Sequence, residues 1–246
     1  MRRLILSDIH GNLEALEAVT RDARNLYDEV ACCGDIVGYG ASPHEVVAWV
    51  RGAVKNVVRG NHDRAAWEPG LLDSFTPSAR SAAAWCARVL DALDLEWLRS
   101  LPAGPFWGDG FGLVHGSPDD EDVYLEYNMD VRGVDQLLKR SPCFMGHTHL
   151  QGGWQWKEGH LRQMPVPLQN ESQRIVNLAP DVLHLINPGS VGQPRDNDPR
   201  AAYAIWDDTE RLLTYRRVEY DIESAQRRIV AAGLPQSLAS RLAVGR

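Results

Sequence analysis

Two histidines separated by one residue follow an apolar run in the segment 143–150, which reads CFMGHTHL. The run predicts the end of a buried strand, and His147 and His149 come directly after it. A strand end is exposed and rigidly held, so it can direct side chains toward one point. Because an isolated pair of histidines is more often part of an ordinary loop, the meaning of this pair depends on which residues come after the other strands.

The other predicted strands of the first half also end at residues that commonly bind metal ions. In chain order these residues are Asp8, His10, Asp35, Asn61, His62, Asp63 and His115. Neighbouring glycines allow the backbone to turn sharply and approach an ion or a phosphate group. Carboxylates, imidazoles and one amide oxygen suit a first-row divalent metal such as Mn, Fe, Zn or Ni, whereas a structural zinc site would use thiolates. The pattern therefore predicts a divalent-metal site.

Short apolar runs alternate with helical patterns along the first half of the chain. The predicted strands lie at residues 4–6, 30–33, 56–58, 112–114, 143–145, 183–186, 202–205 and 212–215. Asn12 can cap the first helix, Pro43 opens the second, a long helical pattern follows Ser78, and residues 131–140 form another. This alternation predicts an α/β fold, and the successive strands after residue 150 predict a second sheet that is mixed or antiparallel.

Length and composition are those of an ordinary globular protein. The 246 residues are 44% apolar and 24% charged, and we expect a single domain over residues 1–246. The stretches 64–78, 116–130 and 150–180 are predicted as irregular loops that shape substrate binding. No apolar run suits a signal peptide or a membrane span, and the four cysteines are predicted to be buried thiols, so we expect a cytoplasmic protein.

Taken together, the motifs resemble those of the calcineurin-like metallophosphoesterases, in particular their small prokaryotic phosphodiesterase and phosphatase branch. The resemblance spans about residues 4–195 and rests on Asp8-x-His10, Gly34-Asp35, Gly60-Asn61-His62-Asp63, His115 and Gly146-His147-x-His149. It implies a four-layer α/β sandwich of two mixed β-sheets flanked by helices. It also implies two divalent metal ions, with manganese favoured. The implied ligands are Asp8, His10, Asp35 and His149 for one ion, and Asp35, Asn61, His115 and His147 for the other.

The resemblance also implies a reaction. Two metals about 3.5–4 Å apart can bind a phosphoryl group and lower the pKa of a bridging water, so that the resulting hydroxide attacks phosphorus in line. A carboxylate shared between the two sites, Asp35, is the simplest way to fix that spacing. Since His62 is not needed as a ligand, we expect it to protonate the leaving-group oxygen.

Several further residues are candidates for substrate binding. Arg195 and Ser190 lie in the segment INPGSVGQPRD after an apolar strand, where they and Asn61 can contact phosphate oxygens. Aromatic residues of the three loops can wall the cleft; they are Trp67, Tyr124, Tyr127, Trp154 and Trp156. The protein-phosphatase branch carries an acid and an arginine where this chain has Gly38 and Tyr39, which makes a phosphoprotein a less favoured substrate.

We expect hydrolysis of small phosphomonoesters or phosphodiesters, with a nucleotide as one candidate substrate. Three alternatives stay open: dinucleoside polyphosphate hydrolysis, a serine/threonine-phosphatase-like activity, and a catalytically silent protein that binds metal or nucleotide. The formal net charge of −7 argues against extended nucleic acid or a membrane as a partner. The sequence makes no prediction of the oligomeric state.

Overall fold

Twelve β-strands form two mixed six-stranded sheets in the computed structural model, which describes residues 1–246. In the first sheet the strands are, in spatial order, β3 (Asn56–Val57), β2 (Glu29–Cys32), β1 (Arg2–Leu6), β11 (Ala201–Asp207), β12 (Leu212–Val218) and β9 (Gln173–Asn177). The strands β1, β2 and β3 run parallel to one another, and the remaining pairs in this sheet are antiparallel.

The second sheet is also mixed. Its strands are, in spatial order, β4 (Phe106–Gly108), β5 (Phe111–Leu113), β6 (Cys143–Phe144), β10 (Leu183–Asn187), β7 (Gly152–Lys157) and β8 (His160–Gln163). The strands β5, β6 and β10 run parallel, whereas β4, β7 and β8 pair antiparallel with their neighbours. Each sheet therefore has a group of three parallel strands.

Seven α-helices and three short 3₁₀ helices connect or follow the strands. The α-helices are α1 (Leu13–Asp22), α2 (Pro43–Ala53), α3 (Asn61–Ala65), α4 (Pro77–Val89), α5 (Ala92–Ser100), α6 (Ile222–Ala231) and α7 (Gln236–Ser240). The 3₁₀ helices span Pro69–Ser74, Val134–Leu137 and Arg241–Val244. The side chain of Asn12 accepts a hydrogen bond from the Ala15 amide, so it caps α1 as predicted. Pro43 begins α2, where the missing amide proton costs no helical hydrogen bond.

Side chains alternate between the two faces of the first sheet and so build two separate cores. Leu4 and Leu6 of β1 pack with the helices on one face, whereas Ile5 packs between the two sheets with Phe144 and Ile186 of the second sheet. The outer face of the second sheet is covered by a segment that includes the 3₁₀ helix Val134–Leu137. The predicted α/β sandwich of two mixed sheets flanked by helices is confirmed.

The metal-binding motifs follow the carboxyl ends of both groups of parallel strands. Asp8, Asp35 and Asn61 come after β1, β2 and β3, while His115 and His147 come after β5 and β6. Parallel strands present their carboxyl ends at the same edge of a sheet, which is where open α/β sheets bind ligands. The fold therefore brings motifs that are far apart in the chain to one edge of the molecule.

Two predictions about local structure are wrong. The segment 150–180 is not an irregular loop, because β7, β8 and β9 occupy much of it. Residues 131–140 contain only a 3₁₀ helix, since Gly133 takes up a left-handed conformation at φ 81° directly before that helix. The four cysteines are free and buried, as predicted. No helix combines the length and the apolar character needed to cross a membrane.

Candidate metal centre

Four of the predicted ligands surround one point at the strand ends. The ligand atoms of Asp8, His10, Asp35 and His149 all lie within 4.8 Å of one another, and the four side chains are buried. The Nε2 atoms of His10 and His149 are 3.0 Å apart. The Oδ1 atom of Asp8 lies 3.4 Å from Nε2 of His149. These distances leave the four residues around a space that a single ion can fill.

A second cluster adjoins the first and shares a carboxylate with it. Asp35, His115 and His147 offer ligand atoms that also lie within 4.8 Å of one another. The Oδ2 atom of Asp35 lies 3.5 Å from Nε2 of His10 and 3.4 Å from Nε2 of His115. The Oδ1 atom of Asn61 is 3.2 Å from the same nitrogen of His115. Asp35 thus occupies the position that the resemblance assigns to a bridging ligand.

Backbone carbonyl groups fix the protonated nitrogen of three of these histidines. The Nδ1 atoms of His10, His115 and His149 face the carbonyl oxygens of Val37, Cys33 and Gln193 at 3.0, 2.8 and 2.6 Å, respectively. Since a carbonyl oxygen only accepts, each Nδ1 carries a proton, which leaves a lone pair on Nε2 whenever the ring is neutral. These lone pairs face one another and nearby carboxylates. Such an array of acceptors fits a bound cation.

His147 is oriented in the opposite way. Its Nε2 lies 3.1 Å from the carbonyl oxygen of Asp122, so Nε2 donates and Nδ1 is left as the ligand atom. Burial lowers the pKa of His147 to about 3, and burial also lowers the pKa values of His10 and His149 well below their usual range. All three rings are therefore neutral near pH 7, which is the form that binds a metal.

The buried acids of the centre also favour a positive charge nearby. The Oδ2 atom of Asp8 is buried without a hydrogen-bond partner, and burial raises the pKa of this carboxyl group to about 7. Burial acts to lower the pKa of His115, but the charge of Asp35 outweighs it and raises the pKa to about 10. A divalent ion would supply the positive charge that the His115 proton supplies otherwise. The donor set of oxygen and imidazole nitrogen atoms fits a first-row divalent ion.

Six residues of the centre have left-handed backbone conformations. Their φ angles are 52° for Asp8, 51° for His10, 54° for Asp35, 47° for Tyr39, 67° for His147 and 61° for His149. A side chain with a Cβ atom pays about 1–2 kcal/mol for this conformation, so it persists only where the surrounding structure holds it. The strained turns bend the chain so that side chains directly after the strands point toward the clusters.

Asp63 and a neighbouring glycine hold two of these turns together. The Oδ1 atom of Asp63 accepts hydrogen bonds from the amides of Ile36 and Val37 at 2.8 and 3.1 Å, and Oδ2 accepts one from the Gly60 amide at 2.9 Å. Asp63 therefore links the turn after β2 to the turn after β3 and belongs to neither cluster. A Cβ atom at Gly60 would lie 2.2 Å from Oδ1 of Asp35, so only glycine fits there.

His62 lies beside the clusters and is a member of neither. Its ring centroid is 4.9 Å from that of His10, and its amide donates a hydrogen bond to Oδ1 of Asp35 at 2.9 Å. Its Nε2 is 3.1 Å from the hydroxyl oxygen of Tyr39, and its buried Nδ1 has no partner. Burial lowers the pKa of His62 to about 4, which leaves the ring neutral near pH 7.

A cavity of about 530 Å³ opens beside the clusters. Asn61, His62 and His147 line it, together with Arg195 from the turn after β10 and Tyr124 from the segment 116–130. The rest of its wall is formed mainly by Arg64, Leu71, Ser74, Phe75, Thr76 and Ala79. Its volume is in the range of small-molecule sites in proteins.

The two predicted substrate contacts from the segment after β10 have different positions. Arg195 lines the cavity, and its Nη2 donates hydrogen bonds to the hydroxyl of Tyr39 at 3.2 Å and to Oε1 of Gln193 at 3.1 Å. Ser190 is fully buried, and its hydroxyl donates to the Asp8 carbonyl and accepts from the Gln193 amide, both at 2.8 Å. The Ser190 hydroxyl therefore supports the Asp8 turn and does not line the cavity, and substrate binding by Ser190 stays a prediction.

Of the five aromatic residues predicted to wall the cleft, only Tyr124 lines the cavity. Trp154 and Trp156 belong to β7, and both are buried in the core on the outer face of the second sheet. Trp67 packs against the core between the first sheet and its helices, and Tyr127 is exposed elsewhere. The prediction is wrong for these four residues. Trp154 and Trp156 belong to a strand, Trp67 belongs to a core, and Tyr127 lies on the outer surface.

Three residues that shape the site were not assigned to it from the sequence. Tyr39 packs against His10 and His62 with ring centroids 4.5 Å from each, and Phe75 packs against His62 at 4.7 Å. Arg241 reaches the cavity from the C-terminal 3₁₀ helix. The position of Tyr39 between two glycines, four residues after Asp35, is a signal that could have been used, whereas no pattern in the sequence distinguishes Arg241.

Two mixed sheets that carry adjoining ligand clusters at their strand ends form the architecture of the metallophosphoesterases. Residues 1–211 match the calcineurin-like phosphoesterase superfamily domain. The chain therefore belongs to the calcineurin-like phosphoesterase superfamily.

Similar proteins match nearly the whole chain. An uncharacterized protein of Methanocaldococcus jannaschii is 38% identical over 250 residues, which cover 98% of this chain and 97% of the relative. The crystal structure of a metallophosphoesterase from Sphaerobacter thermophilus is 38% identical, covers 100% of this chain and 99% of its own, and superposes with a TM-score of 0.85. A hypothetical protein from Pyrococcus horikoshii shares the fold at 19% identity, with a TM-score of 0.78 and coverage of 100% and 98%.

Proposed function

We propose that the protein hydrolyses small phosphomonoesters or phosphodiesters with two divalent metal ions, of which manganese is the favoured species. The observation that carries this proposal is the position of Asp35, whose Oδ2 atom lies 3.5 and 3.4 Å from an imidazole nitrogen of each cluster. When bound, two divalent ions would supply positive charge to the phosphoryl group and a water of lowered pKa. Membership of the superfamily supports the same activity.

The chain's own residues would bind the phosphoryl group and handle the proton of the leaving group. Arg195 and Asn61 line the cavity, where their N–H groups can donate to phosphoryl oxygens. His62 lines the same cavity and has a ring nitrogen without a partner. An anionic phosphoryl group beside His62 raises the pKa of the ring and favours the protonated form, which can act as the general acid.

The rigidity of the cavity wall supports a small substrate over a folded phosphoprotein. Arg59 and Arg64 both form ion pairs with Glu121, and Arg64 also pairs with Asp122 at 2.6 Å. These ion pairs attach the segment 116–130 to the turn after β3, so the wall that carries Tyr124 is held in place. A walled cavity of about 530 Å³ accommodates a nucleotide-sized molecule.

A substrate screen with metal-stripped and reconstituted protein tests the proposal. The panel contains p-nitrophenyl phosphate, bis(p-nitrophenyl) phosphate, a set of nucleotides and a phosphopeptide. We expect Mn²⁺-dependent turnover of at least one small ester, with a higher kcat/KM than for the phosphopeptide. Tight metal and nucleotide binding without turnover of any ester would instead support the catalytically silent alternative, and a preference for the phosphopeptide would contradict the substrate size.

A further inference from the structure

Two arginines line the cavity without an aspartate or glutamate partner. Arg195 and Arg241 form no ion pair with an aspartate or glutamate, and the buried Nε of Arg195 has no hydrogen-bond partner at all. Arg241 donates one hydrogen bond through Nε to the main-chain oxygen of Arg246. Burial, together with the neighbouring charge of Arg195, lowers the pKa of Arg241. Two like charges brought together in a half-buried wall fit an anion that neutralises both.

The ring of Tyr39 places both guanidinium groups next to His62. The Cζ atoms of Arg195 and Arg241 lie 5.7 and 5.8 Å from the centroid of this ring. The Tyr39 hydroxyl accepts a hydrogen bond from Arg195 at 3.2 Å and lies 3.1 Å from Nε2 of His62. If His62 acts on the leaving group as proposed, the two arginines would lie on the leaving-group side of the scissile phosphate.

Arg241 is held in place by a small core of its own. Leu238, Ala239 and Leu242 are buried and pack with Ala82 of α4 and with Tyr39 itself. The C-terminal helices therefore form part of the cavity wall, and Arg241 projects from a packed segment. This segment lies outside the residues 1–211 that match the superfamily domain.

The acidic side chains around the cavity do not form ion pairs with these two arginines. Asp122 also lines the cavity, but it pairs with Arg64 at 2.6 Å. The remaining acids near the cavity belong to the metal clusters or, like Asp63, are satisfied by backbone amides. No aspartate or glutamate side chain therefore competes for Arg195 and Arg241, and the one protein acceptor of Arg241 is the main-chain oxygen of Arg246.

We propose that Arg195, Arg241 and the hydroxyl of Tyr39 form a subsite for a second phosphate group, carried by the leaving group of the substrate. The inference rests on the proposed phosphoesterase function and narrows the substrate class to phosphoanhydrides. In their hydrolysis the water oxygen forms a bond to the attacked phosphorus, and the bridging P–O bond breaks with its electron pair left on the departing phosphate. The proton lost by the water passes to that phosphate or to buffer. The guanidinium groups stabilise the charge that develops on the departing phosphate.

Comparison of two substrates tests the subsite in the metal-loaded enzyme. Tripolyphosphate has a phosphate leaving group and p-nitrophenyl phosphate does not. We expect Arg241→Gln to lower the ratio of kcat/KM for tripolyphosphate to kcat/KM for p-nitrophenyl phosphate by about ten- to hundredfold, the worth of a charge-assisted hydrogen bond. Arg241→Lys should recover part of this ratio because it restores the charge. Arg227→Gln, a change at an exposed arginine of α6, is the matched control and should leave the ratio unchanged.

A binding measurement separates failure of the subsite from failure of the proposed function. Calorimetry with chelator-treated, dialysed protein should show tighter binding of tripolyphosphate than of inorganic phosphate, with that preference reduced in Arg241→Gln. If neither substrate is hydrolysed but this preference is present, the subsite stands and the proposed function fails. An unchanged substrate ratio in a folded Arg241→Gln protein, or equal binding of the two anions by the unmodified protein, overturns the subsite.

Discussion

The protons on the buried imidazoles determine what the metal centre can bind. His10, His115 and His149 each donate Nδ1–H to a backbone carbonyl, so Nε2 is the nitrogen that each ring directs toward the same small space. Without a metal ion, the Nε2 lone pairs of the neutral His10 and His149 rings would face each other at 3.0 Å, and His10 Nε2 would face Oδ2 of Asp35 at 3.5 Å. Burial acts to lower the pKa of His115, but Asp35 raises it to about 10, so His115 would carry a proton in place of the metal. A buried acceptor without a donor costs free energy, so this arrangement is stable only when something positive lies between the side chains.

Loss of the shared carboxylate should affect both metal positions. Asp35→Asn keeps the shape of the side chain and an oxygen that can accept from the His62 amide, but it removes the charge between the clusters. We expect elemental analysis of the purified variant to show less metal per chain than any change confined to one cluster. Asp198→Asn is the control, since Asp198 is a buried carboxylate that pairs with Arg200 outside the clusters. Equal metal content in the two variants would contradict the bridging role.

Removal of His62 should slow the reaction without removing the metal. A general acid is worth roughly 10²–10⁴-fold in rate, so His62→Ala is expected to lower kcat by about this factor on alkyl phosphates. The loss should be much smaller on p-nitrophenyl phosphate, because that leaving group departs without protonation. Steady-state kinetics on both substrates provide the measurement. An equal loss on both would indicate that His62 binds the phosphoryl group or supports Asp35 instead.

Strand ends and glycines determine which parts of the site could be predicted from the sequence. The ligands were found because they follow apolar runs within a few residues and five of the seven stand beside a glycine, a local pattern that needs no knowledge of packing. Tyr39 and Arg241 were missed because their contacts depend on how α4 and the C-terminal helices pack. The alternation of Trp154 and Trp156 is a period-two pattern typical of a strand, so the loop predicted for 150–180 neglected a signal that was present.

The close approach of two turns should make Gly60 intolerant of a side chain. A Cβ atom there would lie 2.2 Å from Oδ1 of Asp35 and 2.7 Å from Cε1 of His115. We expect Gly60→Ala to destabilise the protein by about 1–3 kcal/mol, the usual cost of overpacking, and to weaken metal binding. Denaturant unfolding and metal titration measure the two effects.

Gly52 provides the matched control for this substitution. It lies in α2, and a Cβ atom there would have no heavy atom within 4 Å. Gly52→Ala should raise the free energy of unfolding by roughly 0.5–1 kcal/mol, because alanine is the better helix former. Similar losses of stability in both variants would show that the steric argument for Gly60 is wrong.

The whole molecule carries several buried histidines whose protonation opposes folding. Burial lowers the pKa of His62 to about 4, whereas an unfolded histidine titrates near 6.5. As the pH falls from about 6.5 to about 4, the unfolded chain binds a proton that the folded protein does not, so stability is lost over this window and is fully present above it. The contribution of one such residue is at most ~1.4 kcal/mol per pH unit.

This pH dependence can be measured in metal-stripped protein by urea unfolding between pH 7 and pH 4. Over that interval we expect His62→Gln to lose less free energy of unfolding than the unmodified protein. The difference should be at most ~1.4 kcal/mol per pH unit, which is the contribution of one bound proton. His160→Gln changes an exposed residue and should follow the unmodified protein. If the free energy of unfolding falls equally with pH in all three proteins, His62 binds a proton in the folded protein as readily as in the unfolded chain.

Two sheets with three parallel strands each meet at one edge, and the turns at that edge contribute every residue of both clusters. The segment 116–130 and the C-terminal helices then close a cavity over it. This arrangement brings together an unpaired acceptor for a cation, Oδ2 of Asp8, and an unpaired donor for an anion, Nε of Arg195. This division of charge is the basis for proposing a metal-dependent phosphoesterase.

Dependence of turnover on bound metal is measured with one preparation before metal stripping, after stripping and after Mn²⁺ is restored. The substrates are p-nitrophenyl phosphate and its bis ester. We expect turnover to be lost on stripping and to return when both metal positions are filled, with the metal content from elemental analysis following the same course. Full activity in protein shown to contain no divalent metal would contradict the account.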